Sequence, residues 1–390
     1  MKKIQALLVF FLCFLLLPHN TTAEGLYPAA EDEKLQFIFV HGLSGWGSYD
    51  PRYILIPYWG MQGGDLMEYL REEGFPCYAA SVAPEGSAWD RACELYAQLA
   101  GTVVDYGKAH SERCSHERYG RDFSGESLIP DWGEDTRLVL LGHSFGGDTV
   151  RLFSEILANG SSEEQSSTEP DELSDFFKGD KADHIHAIVT LAAPTNGTTA
   201  YDMYEDENFK AEKVEVSPLT AFWGSLFSAR KSEEKDGRSE EDYAAYDMHI
   251  DNALALNAQI STLPDTYYFA VPCSATEKAE DGTYKPVDSL MEGMFRQSSA
   301  RMGSYTGTTA GGFTIDDSWR ENDGLVNTVS AMAPIGEPSQ DYDTDNIKTG
   351  IWNVMPVYIG DHMSLQGGMT IKNDIREYYR DLLEVIERLP

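Results

Sequence analysis

The feature that most constrains this chain is a short apolar run, Arg137-Leu138-Val139-Leu140-Leu141, that stops at Gly142-His143-Ser144-Phe145-Gly146. Val150, Phe153, Ile156 and Leu157 follow with helical spacing. A buried strand that enters a Gly-x-Ser-x-Gly turn and leaves it as a helix forms an elbow. The turn strains the serine backbone and exposes its oxygen, and the small flanking residues prevent collisions with the neighbouring strand and helix. A serine hydroxyl is a weak nucleophile, so Ser144 needs a base within reach and an acid to orient that base.

Other apolar runs place this elbow in a sheet. Leu35-Gln36-Phe37-Ile38-Phe39-Val40 closes on His41-Gly42, His186-Ala187-Ile188-Val189-Thr190-Leu191 ends at Ala192-Ala193-Pro194, and Tyr267-Tyr268-Phe269-Ala270-Val271 reads as a further strand. Apolar strands separated by helical segments predict an α/β fold, a mainly parallel sheet with helices on both faces. With 390 residues, of which 42% are hydrophobic, the chain can bury one large core, so we expect one domain with insertions.

Two stretches interrupt the alternation. Residues of about 49–123 are rich in aromatics and glycine, and those of about 201–242 are polar and acidic. Within the second, Leu219, Phe222, Trp223, Leu226 and Phe227 share one helical face after Ser217-Pro218. That pattern suits a lid beside an active site and equally an ordinary surface helix packing inward.

The formal net charge of -34 argues against nucleic acid as a partner, because phosphate binding needs a basic patch. Anionic membrane surfaces are disfavoured for the same reason. Met1-Lys2-Lys3, the apolar stretch after it and small Thr21 and Ala23 read as a signal peptide over 1–23, cut after Ala23, which predicts an exported protein without a stable membrane anchor. Cys77, Cys93, Cys114 and Cys273 then remain, in no disulfide or zinc-ribbon spacing, although an oxidising compartment leaves a bridge open.

In α/β-hydrolases the catalytic residues follow the order Ser, acid, His. Of the nine histidines, His184, His186, His249 and His362 follow Ser144. His184 and His186 enter a strand and His249 precedes the best acid, which leaves His362. That acid is Asp323, in Glu321-Asn322-Asp323-Gly324, where Gly324 permits a tight bend; Asp316 and Asp317 are rivals that could equally cap turns. The oxyanion of acyl transfer needs two backbone donors, expected from Phe145 after the nucleophile and from Leu43 in the turn after the first strand.

Taken together, His41-Gly42-Leu43-Ser44-Gly45-Trp46-Gly47, Tyr58-Trp59-Gly60, Trp89-Asp90-Arg91-Ala92-Cys93-Glu94, Val104-Asp105-Tyr106-Gly107 and Glu321-Asn322-Asp323-Gly324 resemble the secreted, zinc-containing triacylglycerol lipases of thermophilic bacilli and staphylococci. The resemblance implies an α/β-hydrolase acting on lipid esters at an oil–water interface, with Ser144, Asp323 and His362 as its triad. It also implies a structural zinc held by Asp90, His110, His116 and Asp242. Without it, His110 and His116 would read as two solvent-facing histidines. Two departures stand out. Ser364 and Gly368-Met369-Thr370 occupy positions where the family carries calcium-binding carboxylates, so calcium is expected to be absent. The stretch before Asp242 is also shorter and less apolar, which predicts a reduced lid.

Overall fold

Alternation of side chains along the strands sets the architecture of this protein, seen in a computed structural model that describes residues 35–206, 209 and 237–390. The expected signal peptide (1–23) and the apolar helical face of 217–227 lie outside the described residues. Seven strands form the central sheet: β1 (Leu35–Val40), β2 (Cys77–Ala80), β3 (Arg137–His143), β4 (Ile185–Leu191), β5 (Tyr267–Val271), β6 (Ser339–Asp341) and β7 (Trp352–Val354). Their order is β6-β7-β5-β4-β3-β1-β2, with every neighbouring pair parallel.

Five helices matter for the site: α1 (Leu66–Glu72), α2 (Ala88–Ala100), α3 (Lys108–Cys114), α4 (Phe145–Asn159) and α5 (Arg376–Glu387). Successive strand residues point to opposite faces. Phe37, Phe39, Val139, Leu141 and Val189 therefore join one core with Leu66, Leu70, Tyr379 and Leu383 of α1 and α5. Ile38, Val40, Leu138, Leu140 and Ile188 join the other with α2 and α4. Along α5 the buried Tyr379, Leu382, Leu383 and Ile386 follow the i, i+3, i+4, i+7 rule. Burial of each such side chain contributes about 1.5–3 kcal/mol.

The doubly covered parallel sheet agrees with the expected fold class, and the four strands read from sequence fall within one residue or two of their observed bounds. Strands β2, β6 and β7 escaped that reading because runs of three or four residues carry too little periodicity. As a result part of the stretch 49–123 is not insertion at all: β2 is an edge of the central sheet and α2 packs on it. All four described cysteines are buried free thiols. Among the described residues no helix is long and apolar enough to cross a membrane.

Candidate active site

The elbow is built by close contacts that exclude larger residues. Ser144 has φ 53° and ψ -135° between β3 and α4, a sparsely populated conformation that costs on the order of 1–3 kcal/mol and persists only where its surroundings enforce it. A Cβ on Gly142 would lie 2.2 Å from the Gly146 carbonyl oxygen, and one on Gly146 would lie 2.3 Å from that of Val40. Neither position tolerates a side chain.

Across from the elbow, His362 Nε2 lies 2.8 Å from Ser144 Oγ, and its Nδ1 lies 2.8 Å from Asp323 Oδ2. A carboxylate can only accept, so Nδ1 carries the proton and Nε2 is left to accept from the serine hydroxyl. Asp323 is itself fixed, because its Oδ1 accepts the Leu325 amide at 3.0 Å and the Val326 amide at 2.7 Å. Gly324, at φ 106°, makes that turn possible. All three side chains are buried.

The sequence alternatives go elsewhere. Asp316 caps Ser318 and Asp317 pairs with Arg320, both at the surface. His184 stacks on Trp132, the His186 ring faces the Ile386 carbonyl at 3.3 Å, and His249 sits beside Asp202.

The turn after β1 is pressed against Ser144, since a Cβ on Gly42 would lie 2.6 Å from that of Ser144. Fully buried Arg91 holds the turn in place. It donates to the His41 carbonyl, to Ala83 O at 3.1 Å and to Thr149 Oγ1 at 2.8 Å, and its guanidinium lies 5.2 Å from the centre of the Phe145 ring. The Gly42 amide is occupied, donating to Tyr58 Oη at 3.1 Å. The Leu43 amide donates to no atom of the described residues.

Tyr58 extends this contact into a relay. His143 Nε2 lies 2.8 Å from the His362 carbonyl oxygen, an acceptor, so Nε2 carries the His143 proton. Its Nδ1 then accepts from Tyr58 Oη at 2.6 Å. Burial, with the nearby His362 as a second cause, pulls the His143 pKa down to about 3, which keeps the ring neutral. The Gly42 turn and the His362 backbone are thus joined through two side chains. His143 stands inside the elbow motif of the sequence, where no local pattern assigns it a task. Tyr58 and Arg91 stood inside motifs marked only by resemblance.

A second cluster lies between α2, α3 and the 242 segment. Asp90, His110, His116 and Asp242 each offer one ligand atom, all within 4.8 Å of one another. His116 Nδ1 lies 2.8 Å from the Glu117 carbonyl oxygen, so it carries the ring proton and leaves the Nε2 lone pair free. That lone pair faces Asp90 Oδ1 at 3.8 Å and Asp242 Oδ1 at 3.6 Å, and buried Nε2 has no hydrogen-bond partner. A lone pair turned towards two carboxylates is unfavourable unless a cation stands between them. The four residues therefore form a possible metal site, as the family resemblance implied.

Known proteins resemble this chain over most of its length. Lipase 1 of Staphylococcus aureus (strain MRSA252) is 33% identical over 353 residues, covering 85% of this chain and 50% of that protein. The chain thus spans about half the length of the curated relatives it matches. Among solved structures, EstA from Clostridium botulinum superposes with a TM-score of 0.79 at 29% identity, covering 95% of this chain and 91% of that one. Staphylococcus hyicus lipase gives 0.74 at 28%, covering 93% and 98%. A family model described as "Lipase-like, C-terminal domain" matches residues 33–228 and 226–386, a span that holds the elbow, Asp323 and His362 as well as the four-residue cluster. The chain belongs to that lipase family.

Proposed function

We propose that this protein is an exported triacylglycerol lipase, one α/β-hydrolase domain over 24–390, that cleaves acylglycerol esters through an acyl-serine intermediate. The observation that carries the reading is the continuous line from Ser144 Oγ through both nitrogens of His362 to Asp323, with both contacts at 2.8 Å. Ser144 attacks the acyl carbonyl while His362 Nε2 takes the hydroxyl proton, and Asp323 stabilises the imidazolium. The amides of Leu43 and Phe145 receive the oxyanion. Collapse transfers the His362 proton to the departing glycerol oxygen and leaves Ser144 acylated. Water, deprotonated by His362, then releases the fatty acid and restores the serine.

The substrate class is tested by comparing emulsified long-chain triacylglycerol with a dissolved short-chain ester, each against Ser144→Ala. Native protein is expected to hydrolyse the emulsion, with a rate that rises once substrate exceeds its solubility. Hydrolysis of the dissolved ester alone would make it a carboxylesterase of the same chemistry. Hydrolysis of neither would remove the lipase reading.

We further infer that Asp90, His110, His116 and Asp242 hold zinc. Two imidazole nitrogens and two carboxylate oxygens suit a tetrahedral zinc, and a set closed by four protein ligands stabilises without catalysing. The orphaned His116 Nε2 supports this reading. Such an ion would tie α2 and α3 to the segment that carries Asp242. Elemental analysis is expected to find about one zinc per chain, and chelation to lower the melting temperature by roughly 5 °C. A metal-free protein that melts at the same temperature with and without chelator would contradict it.

A further inference from the structure

Glu292 stands alone as an acid in the apolar run Leu290-Met291-Glu292-Gly293-Met294-Phe295, and it is buried at 2% exposure. A carboxylate taken out of water needs partners. Its Oε1 accepts the amides of Met369 at 3.0 Å, Thr370 at 2.5 Å and Ile371 at 2.8 Å, and its Oε2 accepts the Thr370 hydroxyl. Burial on its own would raise the Glu292 pKa, but these donors outweigh it and hold the carboxyl below its ordinary value. Gly367 and Gly368, at φ 108° and 72°, turn the chain so that successive amides converge on one point.

The same residue grips the other side of the loop. Its backbone amide donates to Asp361 Oδ2 at 2.7 Å, and Asp361 Oδ1 accepts the Met363 amide at 3.1 Å and the Ser364 hydroxyl at 3.0 Å. Glu292 therefore binds the chain immediately before His362 and again seven to nine residues after it. The segment that carries it also bears on the triad acid. The Phe295 ring centre lies 6.5 Å from that of His362, and a Cβ on Gly324 would lie 2.7 Å from Phe295 Cβ.

We propose that Glu292 is a positioning residue: an internal anion that clamps the loop of His362 and so fixes the imidazole between Ser144 and Asp323. This rests on the reading of His362 as the base. A ring of N–H donors is the opposite of what a cation requires, since calcium takes oxygen ligands. The loop is organised around a negative charge supplied by the chain itself.

The test compares Glu292→Ala and Glu292→Gln in the full chain. Glu292→Ala keeps the amide bond to Asp361 but releases residues 369–371, and the loosened loop displaces the base without touching substrate, so kcat is expected to fall about 100-fold with KM within about twofold of native. Glu292→Gln keeps one acceptor oxygen for the three amides but loses the charge, and is expected to lose about tenfold. Formate, a small anion able to enter the vacated amide ring, should restore part of the kcat of Glu292→Ala, whereas formamide should not. Native kcat in Glu292→Ala, a loss confined to KM, or equal effects of formate and formamide would each overturn the clamp. The low-field proton resonance of the His362 Nδ1–H bond to Asp323 reports independently of turnover. It should be lost or exchange-broadened in Glu292→Ala, and its persistence unchanged would refute the clamp even if the native protein cleaved no ester.

Discussion

Ser144→Ala is expected to fold normally and to hydrolyse esters with a kcat about 10⁶-fold below native. The side chain is small and its Cβ already fits the elbow, so Ala inherits the φ of 53° with no new collision. Only Oγ is removed, and with it the bond that His362 Nε2 makes at 2.8 Å. His362→Ala should fall by a similar factor, because nucleophile and base act as one unit, and the double variant should be little worse than either. The activity that remains would come from the Leu43 and Phe145 amides. Initial rates for the three variants, with melting temperatures to confirm folding, check this. Additive losses in the double variant would mean that the two residues do not share a step.

Asp323→Asn should cost about 10⁴-fold in kcat with the fold intact. Asparagine can still accept the Leu325 and Val326 amides through its oxygen, so the turn at Gly324 is kept. Its NH₂ group then faces His362 Nδ1 as a donor where a carboxylate accepted. The imidazole answers by moving its proton to Nε2, and the ring now points a proton at Ser144 where it had offered a lone pair. Turnover should recover partly at high pH, where serine ionisation no longer depends on the base, and a pH–rate profile reads that directly. A loss below tenfold would show that Asp323 does not set the tautomer.

How much of this was legible in the sequence depended on the length of each signal. Strands β1, β3, β4 and β5 were readable because each is five to seven residues long and mostly apolar, and the elbow because glycine is compulsory on both sides of Ser144. His362 emerged by elimination. Gly324 favoured Asp323 over Asp316 and Asp317 and the resemblance strengthened that choice, since an acid in such a loop can equally cap a turn. The metal cluster joins residues 90 and 242, and no local pattern encodes contact over such a distance. Arg91, Tyr58 and Glu292 share one physical reason for having been passed over. Each is a polar side chain at a fully packed position, and the sequence does not disclose which backbone groups it will meet there. A lone acid in an apolar run is a conflict with local patterning, and such conflicts mark sites where function or support overrides packing.

The central claim is that Ser144, activated by His362, becomes covalently acylated. It is tested most directly by treating the protein with an alkyl phosphonate ester, which mimics the tetrahedral intermediate, and locating the adduct by peptide mass spectrometry. The account predicts one phosphonyl group per chain on Ser144, loss of all esterase activity in step with labelling, and far slower labelling of Asp323→Asn. An adduct on another residue, or full activity in a protein whose Ser144 is labelled, would contradict it.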